Sequence, residues 1–209
     1  MLDNKGFDLW ADGYDKSVNL SEESNEYPFA GYRSVLNDIY TQVRQKEYAE
    51  ILDIGFGTGI LTTRLYELGY KITGIDFSDK MIGIAQQKMP DAVLIKWDFS
   101  KGLPDEINNQ HFDYIVSTYA LHHLADTEKT TFINSISDML KPNGKILIGD
   151  VSFETRTDLE ECKENYFEFW DSDEVYFVAG EMINRLSNNL ICNYHKISHC
   201  AGILTLSAS

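Results

Sequence analysis

Three glycines spaced two apart follow an acid in Asp53-Ile54-Gly55-Phe56-Gly57-Thr58-Gly59. Glycine at such positions lets the main chain turn tightly and lets a ligand approach the backbone. The spacing separates the ligands such a loop could serve. A nicotinamide or flavin loop has the form Gly-x-Gly-x-x-Gly, which would put the third glycine at 60; residue 60 is Ile and the glycine is at 59. No Gly-Lys-Ser/Thr is present, which excludes a P-loop. Asp53, two residues upstream, is unfavourable to a diphosphate and favourable to an ammonium group.

Two further acids stand at comparable places. Asp76 closes the apolar run Ile72-Thr73-Gly74-Ile75, 21 residues after Gly55. A carboxylate there can accept hydrogen bonds from the two hydroxyls of a ribose, or it can simply begin the turn into the next helix. Asp98 sits in Trp97-Asp98-Phe99, where it can accept from an adenine amino group or serve as a loop acid beside a helix start. Together these features describe a nucleoside with a cationic, non-phosphate tail. His122 and His123 follow the apolar run 112–117 and titrate near neutrality, which suits them to take a proton from an acceptor. The other reading is that one caps the loop and the other starts a helix. No metal site is expected there, because adjacent histidines should point apart and no third ligand is apparent.

The elements that must hold these residues alternate. Strand-like runs occur at 51–54, 71–76, 93–97, 112–117 and 145–151, and helical spacing at 58–68, 78–88 and 126–140. Gly69 is a helix stop, Ser78 an N-cap, and Lys141-Pro142-Asn143-Gly144 a turn. Strands alternating with helices give βαβ units and a doubly wound, mostly parallel Rossmann-like α/β sheet of about seven strands. The tail, 191–198 and 202–206, reads as two strands joined by a tight turn, so the last pair should be antiparallel. The expected organisation is one domain over 1–209. It comprises an N-terminal cap segment at 1–48 with a helix at about 28–45, a core at 49–152, a helical cap insertion at 153–189 and a strand pair at 190–209. Trp10, Tyr14, Tyr27, Phe29 and Tyr32 from one end, and Tyr166, Phe167, Phe169, Trp170, Tyr176 and Phe177 from the other, are expected mostly as cap core, with a few lining an acceptor pocket.

Composition narrows the partners. Eighteen Lys and Arg against 33 Asp and Glu leave a net charge of −15, which opposes both nucleic acid and anionic membrane surfaces. Cys162, Cys192 and Cys200 are odd in number and widely spaced, as expected of reduced thiols. No apolar run reaches membrane-spanning length, and Met1–Lys5 lacks a signal-peptide pattern, so the chain is expected to be cytoplasmic.

At 51–59 (ILDIGFGTG), 74–82 (GIDFSDKMI), 97–99 (WDF), 112–124 (FDYIVSTYALHHL) and 140–150 (LKPNGKILIGD) the chain resembles the class I S-adenosylmethionine-dependent methyltransferases. Phe7-Asp8, Trp10-Ala11 and Tyr14-Asp15 are similar to the opening of the small bacterial type 11/12 group. The resemblance implies S-adenosylmethionine as cofactor and S-adenosylhomocysteine as product. It implies that Gly55, Gly57 and Gly59, with Thr58 between them, pass under the methionine part, and that Asp53 faces its ammonium. It further implies that Asp76 holds the ribose and that Phe77 and Met81 pack on the adenine. Asp98 would take the adenine amino group, with the Phe99 backbone nearby. Ser117 would offer its carbonyl to the ammonium, and Tyr14 would close over the amino-acid end. The acceptor is expected to be a small molecule: no Asn/Asp-Pro-Pro-Tyr follows the fourth strand, and no cysteine stands where a pyrimidine-methylating enzyme places its nucleophile. Methyl transfer from a sulfonium is an in-line displacement, so alignment supplies most of the catalysis, and His122 or His123 as a base would add about 10²–10⁴-fold. The sequence leaves open whether the chain transfers methyl groups or only binds the cofactor as a sensor or degenerate enzyme.

Overall fold

The computed structural model describes residues 25–186 and 190–209. A run of four apolar-rich strands meets the requirement for a parallel sheet covered on both sides. They are β1 (Glu50–Ile54), β2 (Lys71–Asp76), β4 (Phe112–Thr118) and the long β5 (Leu140–Phe153); β3 (Val93–Lys96) lies at one edge. The sheet order is β3-β2-β1-β4-β5-β8-β7, with β7 (Leu190–Lys196) and β8 (Ala201–Ala208) forming an antiparallel pair at the other edge. β8 lies between β5 and β7 and runs antiparallel to both. A two-residue strand, β6 (Phe177–Val178), pairs with the end of β5, making eight strands in place of about seven.

Helices cover both faces. On one side lie α1 (Tyr32–Val43), α2 (Ile60–Tyr66), α3 (Asp79–Lys88) and α5 (Arg156–Asn165); on the other lie α4 (Asp126–Ser137) and α6 (Ala179–Arg185). Alternate strand residues serve alternate faces, as pleating requires: Ile51, Val116 and Leu147 join the first apolar layer, and Leu52, Ile115 and Ile148 the second. Val35, Ile39 and Val43, spaced one helical turn apart, with Leu36 beside them, give α1 the stripe that docks on the sheet. Gly149 in β5 has no side chain because Val35 Cγ1 would stand only 2.3 Å from its Cβ.

The order reverses between β1 and β4, so the loops leaving the carboxyl ends of these two strands flank a crevice. Some boundaries differ from the sequence reading. α4 stops at Ser137 instead of 140, because Leu140 already pairs with Phe112. Lys141–Gly144 is no terminating turn: it is a bulge inside β5, across which pairing resumes at Lys145 opposite Tyr114, with Asn143 at φ 65°. Residues 153–186 are not continuously helical; an irregular stretch and β6 separate α5 from α6. Ser78 caps α3 as expected, its Oγ accepting from Met81 N–H at 3.2 Å, and Gly69 ends the turn after α2 with φ 86°.

Candidate active site

The crevice opens into a cavity walled by the glycine loop, by Asp76, Phe77, Ser78 and Met81 after β2, by Phe99, and by Thr118, Tyr119, Ala120 and His123 after β4. The loop needs its glycines for two different reasons. A Cβ on Gly55, at φ 69°, would lie 2.5 Å from Ala120 Cβ, so the loop and the turn after β4 touch across the crevice. Gly57, at φ 56°, has nothing among the described residues within 4 Å of its Cβ position, which borders the cavity. Gly59 does not line the cavity; at φ 75° it caps α2 and faces Met89 and Ala85.

Asp53 stands under the loop, 1% exposed. Thr62 Oγ1 donates to its Oδ2, and its Oδ1 is buried with no hydrogen-bond partner among the described residues. Burial pushes its pKa up to about 7, and nearby Asp76 adds to the rise against the Thr62 hydrogen bond. A buried carboxylate oxygen without a donor is costly, and an ammonium in the cavity would relieve that cost. Asp76 is 5% exposed; its Oδ2 accepts from Gly57 N–H at 2.8 Å and its Oδ1 from Ser78 N–H at 2.9 Å. These two backbone donors fix the orientation of the carboxylate at the cavity wall.

Other expected positions behave differently. Asp98 does not line the cavity. It caps a short 3-10 turn, accepting from Ser100 N–H at 3.0 Å and Ser100 Oγ–H at 2.6 Å, and pairs with Lys101 at 3.1 Å. Burial works to raise its pKa, but those partners hold it below the ordinary carboxylate value. Its neighbour Phe99 forms the wall instead. Ser117 is buried inside β4, its Oγ donating to Ile54 C=O at 2.9 Å, and the cavity wall begins one residue later at Thr118. Tyr14 and Trp10 lie outside the described residues.

The two histidines part company in electrostatics and position. His123 lines the cavity, and burial together with the charge of His122 lowers its pKa to about 4, so it is neutral. His122 is buried away from the cavity wall and clamped between two acids. Its Nδ1 lies 2.6 Å from Asp150 Oδ1, and its Nε2 lies 3.4 Å from Glu174 Oε1. Burial opposes its charge, but Asp150 and Glu174 outweigh this and lift the pKa to about 10. A histidine already protonated and so held cannot accept a proton from an acceptor, so only His123 keeps the base role available. The rings do not point apart as the sequence reading supposed. Their centroids are 4.3 Å apart, and Glu174 supplies the third potential ligand thought missing: ligand atoms of His122, His123 and Glu174 all lie within 4.8 Å of one another.

Sequence reasoning missed Asp150, Glu174 and Lys129. Asp150, at the carboxyl end of β5, is fully buried and takes His122 backbone N–H as well as its ring. Glu174 lies in the irregular stretch before β6, which is pinned at Val175: its N–H donates to His122 C=O at 2.8 Å, and the buried Lys129 ammonium donates to its C=O. Lys129 also lies 4.7 Å above the Phe177 ring, and burial lowers its pKa against the pull of Asp126 and Asp150. Glu174 in turn accepts from Tyr176 O–H at 2.7 Å, and Tyr176 meets Tyr27 hydroxyl to hydroxyl. The expected aromatic cap is chiefly core: Tyr27 stacks on Trp170 at 5.1 Å and meets Tyr166 at 5.7 Å, while Phe167 and Phe169 are exposed. No local pattern announces this network, because its members come from five separate segments.

A doubly wound sheet with an acidic glycine loop at its switch point defines a class of nucleoside-binding α/β proteins, and comparison with known proteins sharpens it. A family model described as "Methyltransferase domain" matches residues 51–144. The chain is 36% identical over 187 residues to an uncharacterized methyltransferase of Geobacillus sp. (strain WCH70), covering 86% of this chain and 84% of that one. A second uncharacterized methyltransferase, from Alkaliphilus oremlandii (strain OhILAs), is 33% identical over 179 residues, covering 86% and 79%. Among solved structures, a DhpI–SAH complex superposes with a TM-score of 0.72 at 17% identity, covering 99% of this chain and 95% of that chain. Magnesium protoporphyrin IX methyltransferase from Synechocystis PCC 6803 with bound SAH gives 0.66 at 17% identity, covering 86% and 84%. This chain belongs to the class I S-adenosylmethionine-dependent methyltransferase family. The family's methyl donor is S-adenosylmethionine and its by-product S-adenosylhomocysteine. Among the described residues no helix is long and apolar enough to cross a membrane.

Proposed function

We propose that the protein transfers a methyl group from S-adenosylmethionine to a small-molecule acceptor in the crevice between β1 and β4. The observation that carries this reading is Asp53 Oδ1, a buried carboxylate oxygen with no partner among the described residues, under a loop whose Gly57 borders the cavity. It fits the ammonium of the donor's amino-acid end. When bound, S-adenosylmethionine supplies a methyl group already activated on a sulfonium.

The chain's own residues then have separable tasks. Asp53 binds the ammonium. Asp76, oriented by Gly57 and Ser78, holds the ribose hydroxyls. Phe77, Met81 and Phe99 pack on the base from the cavity wall, while Gly55 and Gly57 keep the loop low enough to admit the tail. Asp98 is two residues beyond β3 and engaged with Ser100 and Lys101, so Phe99 is the stronger candidate at the adenine end. Holding acceptor and donor in line and excluding water is worth up to about 7–11 kcal/mol of the barrier. His123, neutral and at the cavity wall, is the one histidine placed to take a proton from an acceptor O–H or N–H. The net charge of −15 supports a small acceptor over nucleic acid.

The test is methyl transfer from methyl-labelled S-adenosylmethionine into a metabolite extract. Label appearing in a small product supports the reading. Cofactor binding with no transfer into any fraction would make the protein a cofactor-binding sensor instead. Under this reading His123→Ala lowers transfer about 10²-fold or more while leaving S-adenosylhomocysteine affinity near that of the unaltered protein.

A further inference from the structure

The cluster behind the cavity has the anatomy of a metal site. His122 Nε2 and Glu174 Oε1 stand 3.4 Å apart, long for a charged hydrogen bond. Two ligands each about 2.0–2.1 Å from a tetrahedral zinc ion are separated by about 3.3–3.4 Å, so the gap matches the edge of a coordination tetrahedron. His123 offers a third ligand atom, all three sets lying within 4.8 Å of one another.

The groups behind the ligands match as well. A ligating imidazole usually presents its other nitrogen to a carboxylate, which fixes ring and tautomer; His122 Nδ1 does this with Asp150 at 2.6 Å. A ligating carboxylate is usually hydrogen-bonded through its other oxygen. Glu174 Oε2 accepts from Tyr176 O–H at 2.7 Å, leaving Oε1 toward His122. The next residue, Val175, is fixed through both of its backbone groups, by His122 C=O and the Lys129 ammonium, so the chain carrying the third ligand is anchored immediately after it.

We propose that His122 Nε2, His123 and Glu174 Oε1 form a tetrahedral site for a divalent transition metal of the zinc type, with the fourth position left for water or an acceptor heteroatom. Two nitrogens and one carboxylate oxygen are a ligand set of catalytic zinc sites, which keep that position open, and the ion would take the place of the Nε2 proton that His122 carries in the metal-free protein, releasing it to solvent. His123 also walls the cavity, so the site borders the place where an acceptor meets the donor. A bound ion would orient the acceptor's oxygen, nitrogen or sulfur and favour its deprotonated form, taking over the proton chemistry otherwise left to His123. Metal binding stands apart from the methyl-transfer reading; only the acceptor's coordination rests on it.

The test uses the untagged full chain stripped of metal, titrated with cobalt and then challenged with zinc. The expected result is one equivalent of cobalt with the intense visible bands of tetrahedral coordination, displaced by zinc. Glu174→Gln and His123→Ala should each weaken binding roughly a hundredfold or more, and Tyr176→Phe about tenfold. His195→Ala, on the exposed face of β7, should leave it unchanged. S-adenosylhomocysteine titration of each variant checks that the fold and the cofactor cavity persist, and so keeps failure of this site distinct from failure of the methyltransferase reading. Absence of stoichiometric binding, an octahedral-type spectrum, or binding unchanged in both Glu174→Gln and His123→Ala would overturn the proposal.

Discussion

The two sides of the crevice are built on opposite principles. On the β1–β2 side the acid under the loop is left short of partners: Asp53 Oδ1 has none among the described residues. On the β4–β5 side the polar groups are bound to one another, from Tyr27 through Tyr176, Glu174 and His122 to Asp150. The first arrangement holds binding capacity in reserve for a ligand and costs the free protein stability. The second fixes the cap against the sheet. A substitution should therefore act mainly on ligand affinity on one side and mainly on folding on the other.

The largest expected effect lies on the cap side. Asp150→Ala strands His122 in a buried site and should lower the unfolding free energy by about 3–5 kcal/mol, measured by denaturant titration. A loss below 1 kcal/mol would show the network to be dispensable to the fold. Next come the glycines. Gly55→Ala drives a methyl into Ala120 at φ 69°, and should cost about 2–4 kcal/mol of stability and abolish cofactor binding. Gly57→Ala meets no described residue and should cost only about 1–2 kcal/mol, from its positive φ. Equal losses at the two positions would contradict the close contact across the crevice.

Asp53 sharpens the comparison through pH. Its folded pKa of about 7 lies above its unfolded value of 3.8. The folded chain therefore binds the extra proton in that window, and the stability Asp53 contributes is full below about pH 4 and lost as pH rises through 7. A bound ammonium needs the ionised form, so S-adenosylhomocysteine affinity should rise about tenfold from about pH 6 to 8 by calorimetry. Asp53→Asn should remove that slope, and a slope retained in the variant would assign it to another group. The smallest effect is expected at Asp98→Ala: loss of the cap should cost about 0.5–2 kcal/mol of stability, with a smaller loss of cofactor affinity than Asp76→Ala produces.

The same division governed what could be read in the sequence. The glycine loop, Asp53, Asp76 and the Ser78 cap are local patterns in which strand, turn and helix start follow within a few residues, and spacing alone places them. The parallel part of the sheet and its antiparallel end followed from alternating elements and the short 197–200 connection, whereas the two-residue β6 carried no signal of its own. The cap side was opaque because residues 27, 122, 129, 150, 174 and 176 come from separate segments that meet only in the folded chain. His122-His123 stood out as a pair, yet the partners that divide their roles lie 28 and 52 residues away from His122. Lys141–Gly144 carries the composition of a turn, and only its pairing with β4 reveals a bulge inside a longer strand.

The most direct test of the central claim is parallel calorimetric titration of the protein and its Asp76→Ala variant with S-adenosylmethionine, S-adenosylhomocysteine and NADH. Binding of the two adenosyl ligands but not NADH, weakened in the variant by about 1.5–3 kcal/mol, is the predicted result. Adenosyl binding unchanged by the substitution, or binding of NADH alone, would contradict the assignment of this cavity to the methyl donor.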